Sequence, residues 1–161
     1  MKDLELIIYP HPVLRRKSKE VEKIDEVRDI LNKMWEVMYT YKGIGLAAPQ
    51  VGINKRVMVM DVESKKICLI NPYIIEKEGV VTEEEGCLSL PDIFLPVPRA
   101  QEIVVEGWDE EGKKVKLKMG DLMARVVQHE VDHLEGVLII DYASPSQRIK
   151  LEKILKNRRE K

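Results

Sequence analysis

The sequence has few cysteines, few aromatic residues and no long apolar run. Only Cys68 and Cys87 occur among 161 residues, and aromatic residues make up 5% of the chain. No apolar stretch approaches the roughly 18 residues that suggest a membrane-spanning helix, and the first residues lack the apolar core of a secretory signal. We therefore expect a cytoplasmic protein without a membrane partner, in which a cysteine is metal-binding or catalytic rather than disulfide-bonded.

Charge is nearly balanced over the whole chain. The formal net charge is -1, with 27 basic and 28 acidic residues. This balance excludes a protein whose entire surface attracts nucleic acid. Residues 148–161, however, hold seven Lys or Arg and two Glu, so this tail carries +5 and the remainder -6. A basic helix of this kind either docks on RNA or is simply solvated, and the sequence leaves both interpretations open.

Chain length, with 44% apolar residues, predicts one domain over residues 1–161, without repeats or linkers. Apolar residues at three- and four-residue spacing predict an amphipathic helix over Asp25–Tyr41. Asp121 as an N-cap and Gly136 beyond the end predict a second helix that reaches Leu134. A Ser-Pro-Ser-Gln segment at residues 144–147 predicts the start of a C-terminal helix.

Short β-rich runs lie between these helices, and antiparallel pairing is their natural arrangement. The predicted strands are Arg56–Asp61, Ile67–Asn71, Tyr73–Val81, Glu102–Asp109, Lys113–Met119 and Val137–Ile140. Mainly antiparallel strands bracketed by helices predict an α+β fold with N-terminal and C-terminal helices.

The segment from His129 to His133 has the pattern H-E-x-x-H. On a helix, the spacing of four residues places both imidazoles on one face, where they can bind a single metal ion and leave Glu130 free as a base. The alternative is a solvated polar turn, but the apolar residues before His129 predict a buried helix. Two buried histidines need partners, and a metal ion provides them.

A catalytic divalent metal usually has three protein ligands and one open position. Cys87 is the best candidate for the third ligand, because Gly86 permits close approach of the backbone and a metal stabilises the thiolate. Cys68 lies in the apolar run 67–70 and is better explained as a small buried hydrophobic residue.

Three segments of the sequence closely resemble the signatures of the peptide deformylase family, in that family's order. They are Gly43-Ile44-Gly45-Leu46-Ala47-Ala48-Pro49-Gln50, Glu85-Gly86-Cys87-Leu88-Ser89 and Gln128-His129-Glu130-Val131-Asp132-His133. Lesser similarities extend the resemblance over residues 10–142. It implies a single catalytic domain with mixed, mainly antiparallel β-sheets around a central metal-bearing helix. The implied activity is that of a hydrolase that removes the N-formyl group from the formylmethionine of new polypeptides and releases formate.

The resemblance also implies roles for individual residues. Cys87, His129 and His133 would be the metal ligands, and Glu130 the general base and acid. Gln50 and the backbone N–H of Leu88 would stabilise the oxyanion. The implied metal is iron(II), although this donor set also suits zinc, nickel or cobalt. The implied partners are nascent formyl-Met peptides and the ribosome, the latter through the basic C-terminal helix.

Five further residues are candidates for substrate binding: Gly43, Ile44, Gly45, Leu122 and Val126. The two glycines either end the first helix or leave a bare backbone on which an extended peptide docks as an added strand. Ile44, Leu122 and Val126, with Leu88, either form an apolar pocket beside the metal, which takes methionine in the family, or are ordinary core residues.

Two other functions compete with this interpretation. A zinc endopeptidase shares H-E-x-x-H, but this chain has Ile139 where the extended form of that motif requires a third histidine. A structural metal module needs a closed set of four ligands, and no further cysteine or histidine is well placed for it.

Overall fold

The computed structural model describes residues 3–159, which form three α-helices, seven β-strands and several short 3₁₀ turns. The predicted domain and basic tail also include residues 1, 2, 160 and 161, which lie outside the described part. The helices are α1 (Arg28–Thr40), α2 (Asp121–Leu134) and α3 (Pro145–Arg159). The strands are β1 (Gly45–Ala47), β2 (Val57–Val62), β3 (Lys65–Glu78), β4 (Val81–Cys87), β5 (Leu90–Arg99), β6 (Glu102–Trp108) and β7 (Lys114–Gly120).

The strands form two separate antiparallel sheets. One has five strands in the order β1-β2-β3-β6-β7, and the other is the β4–β5 hairpin. The predicted pairing of the two runs after residue 102 is confirmed, with Trp108 opposite Lys114 at the turn. The predicted α+β class, with antiparallel sheets around a central helix, is also confirmed.

Strand β2 explains how the larger sheet comes to lie between two helices. Its side chains alternate between the two faces, as the period of a strand requires. Val57 and Val59 pack in a core with α1, whereas Met58 and Met60 pack in a second core with α2. Both faces of β2 are therefore buried over residues 57–60, which is why this part of its sequence is continuously apolar.

The hairpin has a core of its own. Leu95 and Val97 of β5 pack with Ile139 and with Leu151 and Leu155 of α3. Helix α3 begins as predicted, because Ser144 Oγ accepts a hydrogen bond from the Gln147 N–H and Gln147 Oε1 accepts one from the Ser144 N–H. The C-terminal helix thus covers the hairpin that ends near Cys87.

Helix α2 has the predicted end but a different cap. Gly136 is left-handed, at φ 76°, as predicted. The expected N-cap, Asp121, is instead the first helical residue, with φ 51°, and Gly120 occupies the cap position without a side-chain hydrogen bond. The prediction was wrong because strand β7 runs directly into the helix, leaving no loop in which a side-chain cap can form.

Three other element predictions need correction. The helix predicted from Asp25 begins as a 3₁₀ turn at Ile24–Glu26, and α1 proper starts at Arg28. The two strands predicted on either side of Pro72 are one strand, β3, whose pairing with β6 shifts register around the proline. Residues 137–140, predicted as a strand, run into a 3₁₀ turn at Ile139–Tyr142. Leu138, Ile139 and Ile140 are all buried, so their apolar run reflects burial rather than a strand.

Candidate metal centre

The two histidines lie one turn apart on α2, because four residues advance a helix by slightly more than one turn. Their ring centroids are 5.0 Å apart. Cys87, at the end of β4, faces them, with its Sγ 3.3 Å from Nε2 of His133. One ligand atom from each of Cys87, His129 and His133 lies within 4.8 Å of the others. The structure thus brings the three predicted ligands together around one point.

Glu85 fixes the orientation of one imidazole. Its Oε1 lies 2.9 Å from Nδ1 of His129. Burial alone would raise the pKa of Glu85, but hydrogen bonds from His129 and Arg99 lower this pKa to about 2. An ionised carboxylate only accepts hydrogen bonds, so Nδ1 of His129 must carry the proton. The Nε2 lone pair of His129 is therefore available to a metal ion.

Two buried arginines hold Glu85 in turn. Arg99 donates from Nε to Oε2 at 2.9 Å and from Nη2 to Oε1 at 3.0 Å. Arg125 donates from Nη1 to Oε2 at 2.5 Å. Arg99 also reaches Asp132 of α2 at 2.5 Å, and the Tyr142 hydroxyl donates to the same carboxylate oxygen at 2.6 Å. Side chains from the β4–β5 hairpin, from α2 and from the 3₁₀ turn at Ile139–Tyr142 thereby form one polar network beside the predicted metal ligands.

No role for this network was predicted from the sequence. One signal was available, because Glu85 and Cys87 are two residues apart on β4 and so point to the same face of a strand. The contacts of Arg99, Arg125 and Asp132 join residues distant in sequence, and no local pattern indicates them.

The electrostatics of the cluster fit a cation. Burial alone would lower the pKa of His129, but its hydrogen bond with Cys87 and the negative charge of Glu130 raise that pKa well above its ordinary value. Burial and the nearby charge of His129 lower the pKa of His133 well below its ordinary value. The site thus favours one positive charge between the imidazoles, and a divalent ion on their nitrogens would supply it in place of a proton.

Glu130 lies beside the cluster in a nearly dry environment. It is 4% exposed, and within the described residues its Oε1 is buried without a hydrogen-bond partner. Burial raises the pKa of Glu130 to about 7, although the positive charges of His129 and Arg99 act in the opposite direction. A carboxyl group with a pKa near the working pH can both take up and release a proton.

Gln50 directs its carboxamide nitrogen toward the same point. It is buried in the 3₁₀ turn Ala48–Val51, where its Oε1 accepts a hydrogen bond from the Ala47 N–H at 3.0 Å. This bond fixes the amide, so that Nε2 lies 3.2 Å from Oγ of Ser89 and 3.7 Å from Sγ of Cys87. Leu88, the next residue along from Cys87, is half-buried against the α1 core.

A cleft of about 670 Å³ opens onto the cluster, with Cys87, His129 and Glu130 in its wall. The five residues predicted to bind substrate, Gly43, Ile44, Gly45, Leu122 and Val126, all line it, as do Gln50 and Leu88. Ile44 and Leu122 are 47% and 42% exposed. These two side chains are therefore cleft residues and not members of the core, whereas Val126 is buried and belongs to both.

Cys68 is remote from this cluster. It is buried on β3 and packs in the core with α1, and burial raises the pKa of its thiol to about 12. Both cysteines are free thiols. The prediction that Cys68 is a small core residue agrees with this environment.

A helix with two histidines and a carboxylate, a facing thiol and an open cleft together define a metal-dependent hydrolase. Comparison with known proteins identifies the kind. The family model described as polypeptide deformylase matches residues 3–149. The chain therefore belongs to the peptide deformylase family. As a deformylase, it removes the N-formyl group from the N-terminal formylmethionine of newly made polypeptides and releases formate.

Individual relatives support this assignment. The chain is 46% identical to the peptide deformylase of Nitrosococcus oceani over 154 residues, which cover 93% of this chain and 92% of the relative. It is also 46% identical to the peptide deformylase of Thermotoga maritima, with 92% of each chain covered. A crystal structure of the Ehrlichia chaffeensis peptide deformylase in complex with actinonin superposes with a TM-score of 0.93, at 36% identity and 98% coverage of both chains. These comparisons favour the deformylase over the two alternatives, a zinc endopeptidase and a structural metal module.

None of the helices in the described residues combines the length and the apolar character of a membrane-spanning segment.

Proposed function

We propose that Cys87, His129 and His133 bind the divalent metal ion on which the enzyme depends. The observation that carries this proposal is the convergence of their three ligand atoms to within 4.8 Å at the head of the cleft. Three protein ligands leave a coordination position for water or substrate, as a hydrolytic metal site requires.

We propose iron(II) as the native metal. Two imidazoles and one thiolate also suit zinc, nickel and cobalt, so the donor set narrows the metal without selecting one. We propose iron(II) because members of the resembled family commonly work best with this ion.

Glu130 acts as the general base and then as the general acid. A divalent metal in the site would lower the pKa of water toward neutrality and polarise the formyl carbonyl. Glu130 takes a proton from the attacking water and later delivers it to the nitrogen of the leaving amine. Its raised pKa, about 7, supports both transfers near neutral pH.

Gln50 and the backbone N–H of Leu88 stabilise the negative charge that develops on the formyl oxygen. The amide of Gln50 is held by the Ala47 N–H, so its Nε2 needs little reorganisation during the reaction. Fixed dipoles of this kind are most effective in a site that excludes water, and Gln50 is 1% exposed.

The cleft binds the formylated end of the peptide. Gly43 and Gly45 leave room for an extended backbone beside β1, which is an edge strand of the larger sheet. Ile44, Leu122 and Val126 form the apolar pocket for the methionine side chain. The exposed apolar side chains at the cleft support this role, because a substrate would remove them from water.

We further propose that residues 1–161 are a single catalytic domain that works in the cytoplasm. Helix α3 would bring it to ribosomal RNA near emerging chains. The exposed lysines at 150, 153 and 156 lie on one side of this helix, because three-residue spacing repeats the same face.

The experiment supplies metal-free protein separately with iron(II), nickel, cobalt and zinc, without oxygen, and measures formate released from a formyl-Met peptide. We expect release with iron(II) and with nickel and no cleavage of internal peptide bonds. In air, the iron form should lose activity while the nickel form keeps it, because thiolate-ligated iron(II) can oxidise at metal or sulfur. Equal air stability of the two forms would contradict iron(II), and cleavage of internal bonds would contradict the reaction.

A further inference from the structure

The proposed ligands lie on two parts of the fold that are not joined by a common β-sheet. Cys87 ends a strand of the β4–β5 hairpin, whereas the two histidines belong to α2, which packs on the five-stranded sheet. The separation between the thiol and the imidazoles therefore depends on side chains that join the hairpin to the helix. Arg125, one turn before His129 on α2, is one of these side chains.

Arg125 contacts both strands of the hairpin. Its Nη2 donates to the carbonyl of Val81 on β4 at 2.6 Å, and its Nη1 donates to the carbonyl of Val97 on β5 at 2.9 Å. The same Nη1 donates to Glu85, the carboxylate that orients His129. The Arg125 side chain is 8% exposed, so water competes little for these hydrogen bonds.

Other contacts attach the hairpin elsewhere. Arg99 is itself a hairpin residue, and it reaches α2 through Asp132. Gln128 of α2 bonds both backbone groups of Ala100, just beyond β5. Other α2 side chains reach β4 through its side chains, His129 at Glu85 and His133 at Cys87. Among the described residues, Arg125 is the α2 side chain that hydrogen-bonds to the backbone of β4, at the Val81 carbonyl. Loss of Arg125 would leave the hairpin attached at Arg99, at Gln128 and at the Glu85–His129 contact, but without a bond from α2 to the backbone of β4.

We propose that Arg125 is a positioning residue that sets the place of Cys87 relative to His129. The proposal rests on the ligand set proposed above. A planar guanidinium can donate to three acceptors in fixed directions, whereas a lysine ammonium on a flexible stem does not reproduce this geometry. Outer partners of metal ligands typically change metal affinity by about 10- to 100-fold when they are mutated. Arg125 acts on both the thiol and one imidazole, through β4 and through Glu85.

The test titrates cobalt(II) into the metal-free full chain and records affinity together with the thiolate-to-cobalt absorption band. We expect Arg125→Met to bind cobalt about 10- to 100-fold more weakly and to show a weaker charge-transfer band per bound ion. Arg125→Lys keeps the charge and should also bind more weakly. If Arg125→Met does not fold, Arg125→Lys decides the question alone.

Arg56→Met is the matched control. Arg56 is buried to a similar degree, pairs with Glu135 and donates twice to the Pro72 carbonyl, but it does not contact the cluster. Arg56→Met should lower the thermal stability but leave the cobalt affinity and the charge-transfer band unchanged. The proposal is overturned if the Arg125 variants that fold match wild type, or if Arg56→Met weakens cobalt binding equally. Cys87→Ser, measured in parallel, distinguishes failure of the Arg125 proposal from failure of the proposed ligand set. If Cys87→Ser binds cobalt as tightly as wild type, the ligand set itself is wrong.

Discussion

Oε1 of Glu85 lies 2.9 Å from Nδ1 of His129, and this carboxylate is shared with Arg99 and Arg125. Glu85 is thus the point at which the hairpin, the helix and the proposed metal ligands meet. Its pKa of about 2, against an ordinary value of 4.5, means that the folded protein favours the ionised form.

The first prediction concerns the stability that Glu85 provides as a function of pH. A depressed pKa stabilises the folded state above about pH 4.5, and this contribution disappears as pH falls toward 2. The shift corresponds to on the order of 3 kcal/mol of unfolding free energy. We therefore expect the difference in unfolding free energy between metal-free wild type and Glu85→Gln, measured with denaturant, to narrow as the pH falls from 4.5 to 2. A gap independent of pH would contradict the assigned ion pairs.

The second prediction distinguishes the two cysteines. Cys87→Ser should lose most bound metal and most activity, because the proposed site then has two ligands. Cys68→Ser should keep both, since Cys68 is buried in the α1 core. Metal content of the purified proteins decides the matter. Full metal occupancy and turnover in Cys87→Ser would eliminate the proposed site.

The third prediction uses the close approach of Gly45 to Glu130. A Cβ at residue 45 would lie 2.5 Å from Oε2 of Glu130 and 2.9 Å from a methyl carbon of Val126. Gly45→Ala must therefore displace the carboxylate, and small misplacements of a catalytic group can lower kcat by about 100-fold. Steady-state kinetics and metal content should show reduced kcat with metal retained.

Gly120→Ala is the control for Gly45→Ala, because an added Cβ there makes only ordinary contacts at 3.5 Å or more and the φ angle is negative. It should keep wild-type kcat. Equal kcat in Gly45→Ala and Gly120→Ala would mean that catalysis does not depend on the position of the Glu130 carboxylate in this structure.

Local patterns predicted the part of the fold and of the site that depends on nearby residues. The end of α2, the start of α3 and the β6–β7 pairing follow from spacing and capping residues. The H-E-x-x-H spacing likewise predicted that His129 and His133 share a face. Arg99 and Arg125 could not be predicted, since their partners are distant in sequence.

The β4–β5 hairpin shows why one region was missed. Strand β4 carries three consecutive glutamates, and β5 contains prolines at 91, 96 and 98, which usually argue against a strand. Prolines are tolerated here because, among the described strands, β5 has β4 as its one partner, and because Pro96 and Pro98 are exposed. Glu85 is buried because arginines neutralise it, a compensation that composition does not reveal.

The fourth prediction tests docking on the ribosome. Truncation after Ser146 would remove Leu151 and Leu155 from the hairpin core, so it would damage the fold as well as the charge. Replacing Lys150, Lys153 and Lys156 with Gln keeps the core. Binding to ribosomes should weaken and its salt dependence should become shallower, because fewer phosphate contacts release fewer counterions.

The matched control for these lysines is the same replacement at Lys113, Lys114 and Lys116, which are exposed at the β6–β7 end. This variant has the same net charge and should bind as wild type does. Equal binding by both triple variants would exclude a specific role for α3.

The most direct test of the central claim is kcat of metal-loaded Glu130→Gln. Glutamine keeps the size of the side chain and removes the carboxylate that we propose accepts and returns a proton, so metal content and affinity for a formyl-peptide analogue should be preserved. Because one residue serves both transfers, kcat and kcat/KM should fall together, toward the upper end of the roughly 10²- to 10⁴-fold range for acid–base catalysis. A metal-loaded Glu130→Gln protein that retains more than about a tenth of the wild-type kcat would contradict the assigned role.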